Sequence, residues 1–563
     1  MELLERYFDN AFDAPDGIKK LRELILTLAM QGKLVPQDPN DQPASVLLKE
    51  IEAEKKRLVK QGKIKEPKPL PPVGDDEMPY VLPERWEWVK LRQICHDWGQ
   101  QTPSTRFTYI DVGSIDNNRG TISSDTQVLE SDEAPSRARK IVRKGTIIYS
   151  TVRPYLLNAA VVDKDFTPNA IVSTAFAILH PYSGVDGRYI YFFLRSPFFV
   201  RYVEANQKGI AYPAINDGDL FAGDFPLPPA AEQQRIVAKI DELRKRCDAL
   251  EKLRAERDAK RLAVNSAAVR QLVNGSDTDA RIQARDFLGQ HFGELYSVKE
   301  NVTELRKVIL KLAVMGKLVP QHPKDQPASE LLKQIEAEKK RLVKAGQIRE
   351  SKPLPAITPE ELPYQIPESW NWIRLGEAGA FERGRSKHRP RNDRRLFDDG
   401  TYPFVQTGDV SRSKQTGNQI QTCGSYYNEV GLKQSRLWKK GTLCITIAAN
   451  IAETGFLGMD ACVPDSVVVF LGVDHALEQL VKMFIDVAKD DLEHFAPSTA
   501  QKNINLGIIN QLLFPLPPLK EQHRIVSQFN VLMAKCDELE LCISTSRKKQ
   551  DELLNAMMAQ YGG

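Results

Sequence analysis

The chain has 563 residues, too many for one hydrophobic core, and its 42% hydrophobic and 27% charged residues are the composition of a soluble globular protein. A formal net charge of +4 leaves no argument from bulk charge, so any affinity for a polyanion must come from local clusters. Seven cysteines without a C-x-x-C pair speak against a zinc site or disulfide framework; the acidic start MELLERYFDNAF is not a signal peptide, no apolar run nears the ~18 residues that span a bilayer, and a cytoplasmic chain is expected.

Ile18, Leu21, Ile25 and Leu28 recur at helical spacing, and Gly32 supplies a stop. A second helix is expected to open at Asp41 as N-cap, with Pro43 in its first turn. It should run to Gly62 with Leu47, Leu48, Ile51 and Leu58 on one face. The Pro-rich stretch KEPKPLPPV reads as an extended strut. Beyond LPERWEW (82–88), the segments RKGTIIYST, NAAVV and IVSTAFAIL have the β-branched content of strands, and YIYFFLRSPFFVRYV reads as helix.

Pro228–Pro229 cannot lie inside a helix, so a long one starts after them. Ile236, Ile240, Leu243, Cys247 and Leu250 then step by four and three, the a/d seam of a coiled coil. Asn274–Gly275–Ser276 ends it, and roughly 40 helical residues make a rod of about 60 Å.

From Leu305 the chain begins again. LRKVILKLAVMGKLVPQHPKDQPASELLKQIEAEKKRLVKAGQIRESKPLPAI matches the stretch from Leu21, and IEAEKKRLVK is identical at 51–60 and 335–344. IPESWNW (366–372) matches LPERWEW. A second repeat pairs FPLPPAAEQQRIV from Phe225 with FPLPPLKEQHRIV from Phe514, where Ile525, Phe529, Leu532, Cys536, Leu539 and Ile543 renew the seam. Cys247 and Cys536 fall at equivalent places as small core residues. Between the repeats lie 92–224 and 376–513, roughly 135 residues each and so domain-sized, with little sequence in common. In the second of these, KKGTLCITIAAN and SVVVFLGV read as strands and ALEQLVKMFIDVAKDDLEHF as helix. Constant frames around divergent inserts point to a two-part ligand.

Catalytic signatures are missing from the sequence. Every Gly-Lys pair is followed by Leu or Ile, so there is no P-loop. There is no His-Glu-x-x-His, no Gly-rich dinucleotide fingerprint and no amino-methyltransferase Asn-Pro-Pro-Tyr run. Pro464–Asp465 reads as a loop before a strand rather than half of a nuclease motif.

Positive charge is the remaining signal. ERGRSKHRPRNDRR contains Arg383, Arg385, Lys387, His388, Arg389, Arg391, Arg394 and Arg395; SRARKIVRKG contains Arg137, Arg139, Lys140, Arg143 and Lys144; STVRPYLLN adds Arg153, Tyr155 and Asn158. Arg and Asn matter because their paired donors and acceptors match guanine and adenine edges. GIAYPAIN, with Tyr212 and Asn216, and STAQKNIN, with Gln501, Lys502 and Asn505, stand just before the two FPLPP runs and read as shared contact loops. All these are candidate DNA-binding residues, and neither catalytic nor metal-ligating residues are assigned.

With LPERWEW and IPESWNW opening the inserts and the FPLPP runs closing them, the chain resembles the specificity subunits of type I restriction-modification enzymes over roughly residues 15–558. The resemblance implies an α+β fold: two globular mixed α/β target recognition domains separated by long coiled-coil helices, with an internal pseudo-twofold repeat. The implied layout is an N-terminal helical frame and linker (1–91), recognition domain one (92–224), a central conserved helical region (225–375), recognition domain two (376–513) and a C-terminal conserved helix (514–563). It further implies a non-catalytic reader of double-stranded DNA that assembles with two adenine methyltransferase subunits and two restriction/translocase subunits. S-adenosylmethionine, ATP and Mg are expected on those partners and no cofactor on this chain. Two readings from the residues remain beside it: an autonomous modification or nuclease enzyme, which with S-adenosylmethionine would methylate DNA alone, and a coiled-coil scaffold for protein partners, which would bind no DNA. On the specificity-subunit reading, exchanging 92–224 for the insert of another member changes one half of the methylated sequence, as mapping of N6-methyladenine would reveal; a change in both halves would show that the inserts are not independent.

Overall fold

The frame repeat reappears as a repeat of contacts. The computed structural model describes residues 14–66, 70–71, 73–74, 78–117, 119–209, 211–275, 277–350, 353–388, 390–494 and 504–562. The chain divides into two compact units: residues 1–257 with 545–563, and residues 258–544. Each holds one frame and one insert.

In the first unit the frame opens with helix Gly17–Met30, which buries Ile18, Leu24, Ile25 and Ala29. Gly32 ends it at φ +67, where a Cβ would stand 2.5 Å from Pro83 Cγ, so only glycine fits. The next helix is Ala44–Lys60 with Pro43 at its N-cap position. Asp41 is not the cap: its carboxylate takes Arg235 at 2.6 Å, and its carbonyl takes Arg85 at 2.7 Å. Long-range pairing outcompetes the local cap there. The Pro-rich stretch 65–73 lies partly outside the described residues.

The long helix runs Ala230–Asn274, starting right after the two prolines. Ile236, Ile240 and Cys247 are buried and Leu243 packs at their edge. Leu250, expected in the seam, is instead 45% exposed. At that level polar contacts replace the apolar stripe: Arg22 donates to Asp248 and Glu251 at 2.7 Å each, and Arg254 donates to the Ala14 carbonyl.

The first insert is built on two four-stranded sheets. In one, Phe107–Ile110 lies between Gln127–Leu129 and Ala170–Ser173, and Ala138–Ile141 forms the far edge. In the other, Ile147–Ser150 lies between Phe176–Pro181 and Ala159–Val161, with Cys95–His96 outside Phe176–Pro181. IVSTAFAIL is thus two strands in different sheets. YIYFFLRSPFFVRYV is two helices, Gly187–Leu194 and Pro197–Asn206, because Ser196 caps a new start with Pro197 in its first turn.

The second unit repeats the frame with Lys299–Val314 and Ala328–Lys344, and Cys536 is buried on helix Leu519–Gly562. Phe529, Leu532, Met533, Leu539 and Ile543 of that helix share a core with Ala268, Val269 and Leu272 and with Leu288, Leu295, Val302 and Ile309, so the seam residues do supply an apolar face. The second insert has a five-stranded sheet in the order Ala380–Arg383, Val467–Leu471, Leu443–Thr446, Thr454–Leu457, Gln419–Ile420, backed by helix His475–His494.

Each insert is clamped at its ends by one antiparallel strand pair. Glu87–Lys90 pairs with Asp224–Leu227, and Asn371–Arg374 with Leu513–Leu516 in the same register, so that Trp88 faces Pro226 as Trp372 faces Pro515. Beneath the clamp a buried carboxylate ties three frame segments. Glu232 accepts Trp86 Nε1 at 3.0 Å and Gln37 Nε2 at 2.6 Å. Its counterpart Glu521 takes Gln321 at 2.6 Å beside Trp370.

Burial raises the Glu232 carboxyl above its ordinary value, and the Trp86 and Gln37 bonds offset this only in part. The folded state therefore holds this proton more tightly than the unfolded state. That contribution is in place below the ordinary carboxylate pKa and is lost as pH rises through the raised one. Glu232→Gln never ionises, so its melting temperature relative to the native protein should climb as pH goes from about 4 to about 7; a difference independent of pH would show that Glu232 is not held this way.

Candidate nucleic-acid interface

Strand Ile147–Ser150 returns as Ala159–Val161, with Tyr149 opposite Ala159. The intervening loop is tightly held. Ser150 Oγ donates to the Val152 carbonyl at 2.8 Å, Thr151 N and Oγ1 both reach the Ala175 carbonyl, and Arg153 N donates to the Pro213 carbonyl at 2.8 Å. Asn117 and Arg195 donate to the carbonyls of Leu156 and Leu157. Arg153 (φ 49) and Leu157 (φ 51) are left-handed, a conformation that costs non-glycine residues about 1–3 kcal/mol each. Strain held this firmly presents side chains outward: Val152, Arg153, Tyr155 and Leu156 are all exposed. Tyr212 joins them, with the Arg153 guanidinium 5.1 Å from its ring centre. The sequence motifs STVRPYLLN and GIAYPAIN therefore meet in space.

The second insert has the same hairpin. Gly145 (φ +86) and Gly441 (φ +87) each open a strand after a Lys-Gly-Thr turn. Leu443–Thr446 returns as Thr454–Leu457, with Ile445 opposite Thr454. In both sheets the first strand of the hairpin is central, flanked by its return strand and by a longer buried strand. The loop 447–453 again has two left-handed non-glycine residues, Ala449 (φ 64) and Ala452 (φ 57). Thr446 Oγ1 stands in for Ser150 Oγ, donating to the Asn450 carbonyl and accepting Glu453 N at 2.9 Å. The neighbour is also the same: Ile504 N reaches the Ile447 carbonyl at 3.0 Å, as Ile215 N reaches that of Thr151. The sequence candidates do not include Asn450, which lies in this loop; the shared Lys-Gly-Thr turn is the sequence feature that marks the two hairpins as counterparts.

The other candidates scatter. Arg137 and Lys144 are exposed, and Arg139 bonds the Ala138 carbonyl. Lys140 is buried, its Nζ 2.6 Å from both the Phe176 carbonyl and Asp217 Oδ2. Arg143 stacks 3.9 Å from the Trp98 ring centre. Asn158 is half-buried and its carbonyl takes Ser150 N inside the hairpin. Asn216 and Asn505 are both helix N-caps, accepting Asp219 N and Ile508 N.

In the segment 383–395 the charge is largely answered by carboxylates. Arg391 donates to both oxygens of Asp465 at 2.7 Å, and Arg383 donates to the Asp465 carbonyl. His388 and Arg395 converge on Asp393, whose carboxyl the two hydrogen bonds hold far below the usual range, and Arg394 lies 3.5 Å from Asp398. Lys387 is exposed and Arg385 half-buried. Arg389, Gln501 and Lys502 lie outside the described residues. Among the described residues no three His, Cys, Asp or Glu side chains gather as a metal site, and no helix is long and apolar enough to cross a membrane.

Residues 83–257 and 367–544 each match the type I restriction modification DNA specificity domain. The specificity subunit of the type I restriction enzyme EcoAI from Escherichia coli is 33% identical, over 96% of this chain and 93% of its own length. The EcoEI specificity subunit from the same organism is 31% identical over the same shares. A solved HsdS subunit from Thermoanaerobacter tengcongensis is similar over 85% of this chain and 97% of its own, with 23% identity and a TM-score of 0.47.

The caps and the tips separate experimentally. Asn216→Ala should cost about 0.5–2 kcal/mol of stability in thermal melts, yet leave the DNA sequence selected unchanged. A changed sequence would give Asn216 a direct role at the interface.

Proposed function

This chain belongs to the type I restriction-modification DNA specificity family, and from that premise we propose that it is the non-catalytic DNA reader of such a system. Each specificity domain reads one half of a bipartite target in double-stranded DNA. The observation that carries this is the pair of clamped inserts: the closing strand pairs and several frame ties repeat at equivalent residues, and the exposed hairpin tips differ. A repeated mount with two different tips is what two half-sites of different sequence require.

Affinity comes from cations against phosphate and sequence from base edges in the groove. Arg153 and Tyr155, with Tyr212 beside them, offer a guanidinium fork and aromatic faces on a rigid loop. Two adenine methyltransferase subunits dock on the two copies of the frame, and two translocating nuclease subunits join them. S-adenosylmethionine, ATP and Mg reside on those partners, and the complex works in the cytoplasm. The recognition domains span 92–224 and 376–513 on this reading, which the closing strand pairs 87–90 with 224–227 and 371–374 with 513–516 support.

The test is to express the chain with its methyltransferase partner and map N6-methyladenine genome-wide. A split motif with an unspecified spacer is expected. Methylation by the purified chain alone would instead make it an enzyme. Within the same assay Arg153→Ala should cost about 1–3 kcal/mol of discrimination at one position of one half-site, with the other half read normally.

A further inference from the structure

We infer that Asn450 is a base-reading residue of the second domain, directed at the major-groove edge of an adenine, with Ser411 as its positioning residue. This deepens the proposed function and rests on it.

The inference starts from the two hairpins, which correspond although their loop sequences, TVRPYLLN and IAANIAE, do not. Both follow a Lys-Gly-Thr turn, both hold two left-handed non-glycine residues, and both are pinned by a strand-end hydroxyl and by the amide of the isoleucine ahead of FPLPP. The left-handed residues Arg153 and Ala449 each fall three positions beyond the strand-end hydroxyls of Ser150 and Thr446. The chain thus spends the same backbone device twice, once in each insert. Beyond that device, the two loops differ in what they expose.

In the second loop the exposed residues are few. Ile451, Ala452 and Glu453 are buried, and Ala449 and Asn450 are exposed. Glu453 anchors the loop end between Lys414, at 2.6 Å, and Lys489, at 2.5 Å. Asn450 is therefore the polar side chain at the tip, next to an alanine that leaves room for close approach. A carboxamide is the side chain whose donor and acceptor match adenine N7 and N6 together. Asn450 Nδ2 donates one hydrogen to Ser411 Oγ at 2.9 Å. This fixes which way the amide faces, and its second hydrogen and Oδ1 remain for the base. Ser411 is itself held by the Thr407 carbonyl at 3.1 Å.

The experiment uses the complete methyltransferase assembly with Asn450→Ala, Ser411→Ala and Ser411→Thr. Each is assayed against duplexes in which one base pair at a time is replaced across both half-sites. Asn450→Ala should lose about tenfold or more in discrimination at one A·T pair of a single half-site, with the other half-site and the melting temperature unchanged. Ser411→Ala should weaken discrimination at that same pair, and Ser411→Thr, which keeps the hydroxyl, should restore it. Discrimination kept at every position by Asn450→Ala would overturn the assignment while leaving the family reading intact. Equal weakening on all sequences would also overturn it, since Asn450 would then be a phosphate contact. Absence of any sequence preference in the native assembly would sink the proposed function itself.

Discussion

The strand pair that closes each insert is the constraint on which the rest depends. Residues 87–90 and 224–227 are the entry and exit of the first insert, and their antiparallel pairing holds both ends side by side. The second insert is closed in the same register by 371–374 and 513–516. Proline is tolerated at Pro226 and Pro515 because each pair is a two-stranded ribbon, where a missing N–H leaves no inner strand unpaired. A chain segment whose ends meet can be replaced without moving its mount. The frame therefore tolerates inserts as unlike as 92–224 and 376–513.

Around this clamp the frame is a set of polar ties between segments far apart in sequence. Arg22 reaches Asp248 and Glu251 as Arg306 reaches Asp537 and Glu540. Asp41 holds Arg235 as Asp325 holds Arg524. Gln233 and Gln522, both fully buried, donate to the carbonyls of Pro228 and Pro517 where the long helices start. Gln233 and Gln522 are buried and the Asp41 and Asp325 carboxylates nearly so; a buried polar group left without its partner costs about 1–3 kcal/mol, so these ties resist loss of either member. That is a physical reason for the two copies to keep the same residues at these positions.

Charge density and charge available for binding are different quantities here. The segment 383–395 is the most cationic stretch in the chain, yet Asp393, Asp398 and Asp465 answer several of its arginines. Lys140 is buried against Asp217. The hairpin tips carry less charge and more shape: an Arg with two tyrosines in one domain, an Asn beside alanine in the other. Phosphate contacts reward number of charges, whereas base edges reward a rigid, correctly oriented donor and acceptor. On the proposed reading, the left-handed residues and the pinned loop carbonyls would provide that rigidity.

The sequence by itself determined the frame. The repeat, the stop at Gly32, the long helix after Pro228–Pro229 and most strands follow from short-range rules, in which a residue's neighbours decide its conformation. The burial of Cys247 and Cys536 followed from the period of the seam in the same way. The structure decided whatever depends on a distant partner. Asp41 has the local features of an N-cap, but Arg235, 194 positions away, takes its carboxylate. Leu250 continues the heptad but is exposed, on a stretch where Asp248 and Glu251 pair with Arg22. Asn216 and Asn505 align in the two copies, and the structure gives that alignment a local reason, since each caps a helix. Loops 151–158 and 447–453 share no sequence pattern, because their likeness lies in left-handed backbone angles and carbonyl ties that several residue types satisfy. Pairing across a sheet and packing against a remote segment set those features, and neither is written in any local stretch of the chain.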